Sequence, residues 1–289
     1  MEIFLGTAQL GMDYGIQGAR KPTKDKAFAL LDYACKNGIN TLDTACGYGD
    51  AHRLIGDYFA ASSNNMNIIS KLPYELEADN LNYYDRIREQ METSLKELRV
   101  PKIRGLLLHN PKQLYEGKSL EALRNLKELG YCDLIGVSVY EPEDADYAVK
   151  EGMDIIQLPM NIFDQRFDSF VEQNNSRIKI MVRSIFLQGL LLMEMEQVKE
   201  KLPIAVAPMQ QFNNLCAEHS YSRREVALAY LKEKQGVTSL VVGVDNTEQL
   251  EENLKAYEQK VPVELVEEIA GYFKNLSEDI ISPLKWKRR

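Results

Sequence analysis

Residues 38–56 read GINTLDTACGYGDAHRLIG. The stretch opens as an apolar run of strand length, Ile39 to Asp43, and closes with the spacing of an amphipathic helix. Between them stand Asp43 and, five positions later, Tyr48, flanked by Gly47 and Gly49. An aspartate at a strand end is a common turn former. It is also where a strand-to-helix fold places reactive groups, so the rest of the chain has to decide between the two readings.

Working outward, apolar runs of strand length recur as EIFLG (2–6), INTLD (39–43), NIISK (67–71), IRGLLLH (103–109), DLIGVS (133–138), DIIQL (154–158), IKIMVRS (178–184) and SLVVG (239–243). They are nearly continuous rather than alternating, which suits parallel strands covered on both faces. Helical spacing fills the gaps at 25–38, 81–100, 119–130, 223–236 and 247–257. Pro101 stops the second of these, Gly130 caps the third, and Thr247 reads as the N-cap of the last. Eight strands alternating with helices in a chain of this length predict a (β/α)8 TIM barrel with additional C-terminal helices, forming one domain over residues 1–289. An open doubly wound sheet would bring a Gly-x-Gly-x-x-Gly loop after the first strand, and GTAQLGMDYG does not fit it.

Composition narrows the function classes. The chain of 289 residues is 45% hydrophobic and 27% charged, with a net charge of −8. An acidic chain lacks the basic face that nucleic acid needs, and the one basic cluster, KWKRR at 285–289, reads as a solvated tail. Cys35, Cys46, Cys132 and Cys216 have no CxxC spacing and suit free thiols. No apolar run approaches the roughly 18 residues of a membrane span, and the N-terminus does not read as a signal peptide. The expected setting is cytoplasmic, with no membrane partner.

Three consecutive predicted strands end on an ionisable residue, Asp43, Lys71 and His109, and Tyr48 follows the first of them. Alone, each has an ordinary reading: a turn, a solvated cation, a loop hydrogen bond, a packed ring. Together, at one mouth of a barrel, they compose a proton-transfer set. A phenol with a pKa of about 10 is a poor acid at neutral pH, and a nearby ammonium lowers that value. Lys71 is placed to do so, Asp43 to keep Lys71 charged and aimed, and a neutral His109 to orient a substrate oxygen. Tyr48 is then the general acid for carbonyl reduction and the general base for alcohol oxidation. The hydride has to come from a cofactor.

With these residues in view, the chain resembles the aldo-keto reductase family. LDTACGYG is similar to the family's Asp-Thr-Ala-x-x-Tyr-Gly segment, and ISK (69–71) and LLLHNP (106–111) match its lysine and histidine strands. The resemblance covers nearly the whole chain in order. It implies a barrel that binds NADPH or NADH extended, with Tyr48 as acid/base supported by Lys71, Asp43 and His109. It further implies that Ser138 in GVSVY and Gln157 in DIIQLP face the nicotinamide carboxamide. Val139 stands where the family has asparagine, so one such contact is lost or supplied elsewhere. Arg183 takes the place of an aromatic residue that stacks on the nicotinamide. Ser184, Phe186 and Gly189 border the pyrophosphate, Thr7 meets the ribose, and Gly243, Asp245, Gln249, Glu252 and Asn253 hold the adenosine.

Family members that prefer NADPH carry a basic residue in this last segment, and none lies between Gly243 and Asn253. Asp245 would repel a 2′-phosphate and accept a hydrogen bond from a ribose 2′-OH. The reading is a weakened NADPH preference, with NADH use. A nicotinamide-nucleotide-binding regulatory or sensor subunit is the alternative. Metal hydrolysis would want clustered ligands, and His52, His109 and His219 are far apart; glycoside hydrolysis would want two facing carboxylates. The substrate is expected to be a small carbonyl compound, an aldehyde or ketone such as a sugar or sugar derivative. His52 could face the pocket or the outer helix layer, and Trp286 could cover the mouth or stand in solvent. Nothing in the sequence fixes the oligomeric state.

Overall fold

The computed structural model describes residues 1–16, 18–75, 83–174 and 177–286. The strands are β1 (Glu2–Gly6), β2 (Thr41–Asp43), β3 (Asn67–Lys71), β4 (Ile103–Leu108), β5 (Cys132–Ser138), β6 (Ile155–Pro159), β7 (Lys179–Arg183) and β8 (Val237–Gly243). They pair in chain order, all parallel, and β8 returns to β1, closing a (β/α)8 barrel. The helices are α1 (Ala8–Gly11), α2 (Lys24–Lys36), α3 (Ala51–Ala61), α4 (Tyr83–Leu98), α5 (Gly117–Glu128), α6 (Pro142–Lys150) and α7 (Asp168–Gln173). After them come α8 (Met195–Lys201), α9 (Val206–Glu218), α10 (Arg223–Lys232), α11 (Thr247–Glu258), α12 (Val263–Gly271) and α13 (Glu278–Ile281). The long β7–β8 connection therefore holds extra helices, as its length required, and α12 and α13 follow the barrel as the additional C-terminal helices. Residues 81 and 82 of the expected 81–100 helix, and 287–289 of the basic tail, lie outside the described residues.

Helix ends follow local chemistry. Gly130 takes φ +81° just past α5, where its N–H donates to the Lys127 carbonyl at 3.0 Å. Ser222 and Glu225 form a reciprocal capping box at α10. The N-cap of α11 is Asn246, whose side chain accepts from Gln249 N at 2.8 Å, so Thr247 is the first helical residue instead of the cap.

The strands bury both faces, which is why their sequences are continuous rather than alternating. Phe4, Ile69, Leu107, Ile155, Met181 and Val241 form a separate apolar cluster inside the barrel. Their chain neighbours Leu5, Ile68, Leu106, Ile156, Val182 and Leu240 belong to the larger core between barrel and helices. The two cores fix the inward face of each strand, and with a side-chain period of two they also fix what stands above the inner plug. No helix among the described residues is long and apolar enough to cross a membrane.

Candidate active site

Two positions beyond the plug residues, on the same inward face, come Gly6, Lys71, His109, Gln157, Arg183 and Gly243. Asp43 joins this level because β2 sets it beside Gly6 of β1 and Ile69 of β3. Ser138 joins it because β5 sets it beside Gln157. The residues singled out at the strand ends thus stand in one ring at the C-terminal mouth.

Asp43 is the hub of the ring. Its Oδ1 accepts from Lys71 Nζ at 2.7 Å and from Gln157 Nε2 at 2.8 Å. Lys71 Nζ also donates to the Thr44 carbonyl at 3.0 Å. Thr7 donates through both N and Oγ1 to the Asp43 carbonyl at 3.0 Å. Lys71 and Asp43 are buried, and their charges compensate each other. Among the described residues, buried Gln157 Oε1 and His109 Nδ1 have no hydrogen-bond partner.

Tyr48 sits over this hub. Lys71 Nζ lies 5.1 Å from the Tyr48 ring centroid, and His109 meets the Tyr48 ring edge-on at 5.9 Å. The loop that carries Tyr48 is pinned by Cys46 N to the Lys71 carbonyl at 3.3 Å and by Asp50 N to the Gly11 carbonyl at 3.2 Å. Gly49 is required there: its φ is +54°, and a Cβ would lie 2.4 Å from the Gly11 oxygen. Gly47 has open space and an ordinary φ, so the tight turn belongs to Gly49 alone.

The electrostatics differ from the expectation in one respect. Burial first, and then the Asp43 carboxylate, push the Tyr48 phenol above its ordinary value. The Arg183 guanidinium pulls the other way, and burial with Asp43 outweighs it. His109 behaves as anticipated: burial, then Lys71 and Arg183, hold its pKa down at about 3, so the imidazole is neutral. Burial pushes the Cys46 thiol up to about 11, which removes it as a nucleophile at neutral pH.

A cleft of about 330 Å³ runs from this hub along the mouth. It is lined at one end by Asp43, Tyr48 and Arg183, and at the other by Gly243, Asp245, Gln249, Glu252 and Asn253. Thr7, bonded to Asp43 at the hub, lines it too, as do Ser184, Phe186 and Gly189. Lys71, His109, Gln157 and Ser138 sit just behind that surface, touching Asp43, Tyr48 and Arg183. Leu187, Gln188 and Gly189 have φ of 49°, 53° and 96°, a left-handed run that lets the β7 loop fold along the cleft. Across it, Ile16 N reaches the Gln188 carbonyl at 3.4 Å.

Several expectations resolve on geometry. Val139 is fully buried in the outer core and presents only its carbonyl, which accepts from Arg183 Nη2 at 3.0 Å. His52 lies in the helix layer: Nε2 meets Ser70 Oγ at 3.0 Å, and burial holds its pKa at about 4. Trp286 neither lines the cleft nor stands in solvent; its Nε1 donates to the Ile280 carbonyl at 3.1 Å, and its ring packs on the core. Among the described residues, no group of three or more His, Cys, Asp or Glu is disposed to hold a metal.

Sequence reading missed Arg224. From the first turn of α10 it reaches the far end of the cleft, donating to Asn253 Oδ1 and, at 2.7 Å, to Glu252 Oε2. A basic residue opening a helix reads as solvated surface, and nothing local in SRRE signals that α10 lies against the β8 loop. Tyr14, Gln9 and Gln188 also line the cleft and were not singled out.

The model of the aldo/keto reductase family matches residues 2–272. An uncharacterized oxidoreductase of Bacillus subtilis is 25% identical over 298 aligned positions, covering 96% of this chain and 94% of its own. The D-arabinose 1-dehydrogenase of Saccharomyces cerevisiae is 26% identical over 285, covering 89% and 82%. Among solved structures, the holo form of an aldo-keto reductase from Bacillus halodurans superposes with a TM-score of 0.73 at 19% identity, covering 98% of this chain and 95% of that one.

Proposed function

Because the chain belongs to the aldo/keto reductase family, we propose that it reduces an aldehyde or ketone to the alcohol at the expense of NADH or NADPH, with Tyr48 as the proton donor. The observation that carries the reading is the hub: a buried Asp43 holding Lys71 and Gln157 on one oxygen, directly beneath Tyr48 and beside a neutral His109.

The residues present fit a nicotinamide nucleotide. Gln157 has a buried amide oxygen without a donor, which a carboxamide N–H would satisfy. The cleft leads from there past Ser184, Phe186 and Gly189 to Asp245, Glu252 and Asn253. When bound, the nucleotide supplies the hydride.

Tyr48, kept protonated by burial, donates to the oxygen of the carbonyl as charge develops on it. His109, neutral, donates a second hydrogen bond to the same oxygen and orients it. Lys71 and Asp43 hold the floor beneath the phenol, so that the ammonium stabilises negative charge arriving on Tyr48. Thr7 and Ser184 line the cleft as polar groups for the ribose and pyrophosphate.

At the adenosine end, Asp245 and Glu252 line the cleft with Arg224, the one cation there among the described residues, whose charge Glu252 already engages. This balance disfavours a 2′-phosphate, and NADH is the reading we favour. The substrate is a polar carbonyl compound, a sugar or sugar derivative. Support comes from the name of the yeast relative, a D-arabinose 1-dehydrogenase.

Replacing Tyr48 by Phe tests the reading. Turnover of a carbonyl panel, followed by loss of the reduced cofactor's absorbance, is expected to fall by roughly 10²–10⁴ while cofactor binding persists. A variant with unchanged turnover would point instead to a nucleotide-binding regulatory subunit.

A further inference from the structure

Among the described residues, three cations stand at the cleft or just behind its surface, and two are already matched. Lys71 is paired with Asp43, and Arg224 with Glu252. Arg183 is different. Its partners are all neutral: Nε donates to Ser138 Oγ at 3.3 Å, Nη1 to Ser184 Oγ at 3.3 Å, and Nη2 to the Val139 carbonyl at 3.0 Å. One face of the guanidinium lies over the Tyr140 ring at 4.4 Å. No carboxylate among the described residues pairs with it.

A guanidinium has five N–H donors. Three are used, so two remain, one on each terminal nitrogen. That is the fork that grips a carboxylate or phosphate with two parallel hydrogen bonds. The arginine is held rigidly by β5 and β7 neighbours and stacked on a ring, so little side-chain freedom is left to lose on binding. It lines the cleft beside Tyr48, and its charge acts on Tyr48, His109 and Tyr14.

We propose that the free fork of Arg183 anchors an anionic group, carboxylate or phosphate, on the carbonyl substrate. The natural substrate is then a carbonyl compound bearing an acid group, reduced within reach of Tyr48. The inference rests on the reductase reading above and specifies its substrate class.

Matched compounds differing only in charge test it: a four-carbon aldehyde acid against its amide, and an aldose phosphate against the free aldose. Binding to the protein saturated with reduced cofactor is measured by calorimetry, and kcat/KM by absorbance. At least one acid is expected to be preferred roughly a hundredfold over its neutral partner, and which pair shows it separates carboxylate from phosphate. In Arg183→Met the preference collapses to within about threefold; Arg183→Lys, which keeps the charge without the fork, retains part of it. Cofactor affinity changes far less than the preference does. The proposal is overturned if neither acid is preferred, if the preference survives Arg183→Met, or if cofactor binding is lost in step with it, which would assign the fork to the cofactor's phosphates. Acids that bind through Arg183 without any turnover would sink the reductase reading and leave the anion site standing.

Discussion

Asp43 and Gln157 are 114 positions apart in the chain and share a hydrogen bond of 2.8 Å across the barrel mouth. The acceptor is the same oxygen that takes Lys71 at 2.7 Å. Gln157 therefore helps fix the rotamer of the carboxylate that fixes the lysine, while its own Oε1 is left over for a ligand. One glutamine ties the proposed proton-transfer set to the proposed cofactor cleft.

Gln157→Leu removes both hydrogen bonds. Cofactor affinity, measured by fluorescence titration, is expected to weaken about threefold to tenfold, the worth of one net hydrogen bond, with a smaller fall in kcat. An unchanged dissociation constant would leave Gln157 as a barrel packing residue.

Lys71→Met strands a buried carboxylate. Breaking one side of such a pair costs about 3–5 kcal/mol, and urea denaturation reads it directly. The double variant with Asp43→Asn is expected to be more stable than Lys71→Met alone, because neither charge is then uncompensated. A double variant less stable than that single one would contradict the pairing as the source of the loss.

The titration of the two buried histidines sets the pH behaviour. Their folded values, about 4 for His52 and about 3 for His109, lie below the ordinary 6.5. Between those limits the unfolded chain binds more protons, so stability is full above about pH 6.5 and is lost as pH falls toward 4 and 3. His52→Asn is expected to shrink the difference between melts at pH 7 and pH 5. Over the same neutral range, with His109 already neutral and Tyr48 still protonated, kcat/KM for carbonyl reduction should show no ionisation from either group between about pH 6 and 9.

The Tyr48 loop gives a sharp contrast between two glycines. Gly49→Ala meets both a positive φ and the Gly11 oxygen, and is expected to lose at least ~1–2 kcal/mol of stability together with much of the turnover. Gly47→Ala meets nothing, and should stay within ~0.5 kcal/mol. Equal effects would show that the close approach to Gly11 is not what holds the phenol.

Cofactor choice turns on Glu252 and Arg224. Glu252→Gln releases the guanidinium, and the ratio of NADPH to NADH affinity is expected to rise about tenfold in favour of NADPH, the order of one charge-assisted hydrogen bond. A ratio that does not move would take Arg224 out of the selection.

Much of the fold was legible because the strands are buried on both faces and therefore read as uninterrupted apolar runs, from EIFLG to SLVVG. Asp43, Lys71 and His109 were legible for the same reason: each ends such a run, and the inward face is a matter of counting by two. What stayed hidden depends on distance in space. Arg224 is brought to the cleft by the packing of α10, and Gly11 matters only because α1 presses on the Tyr48 loop. The two readings left open for His52 were settled by the helix layer, where Ser70 on the outward face of β3 receives it. The direction of the Tyr48 shift was misjudged because burial, its first cause, is a property of the folded mouth and not of the residues named in the sequence.

The apolar plug of Phe4, Ile69, Leu107, Ile155, Met181 and Val241 has a bearing on proton supply. It closes the barrel directly below the polar ring, and none of its six side chains carries a hydroxyl or carboxylate. On the proposed reading, a proton spent by Tyr48 is therefore expected to return from the mouth, along the same opening by which substrate arrives and product leaves. Reloading the acid and exchanging the ligand would then share one doorway, so a product slow to depart would also keep the phenol from being recharged.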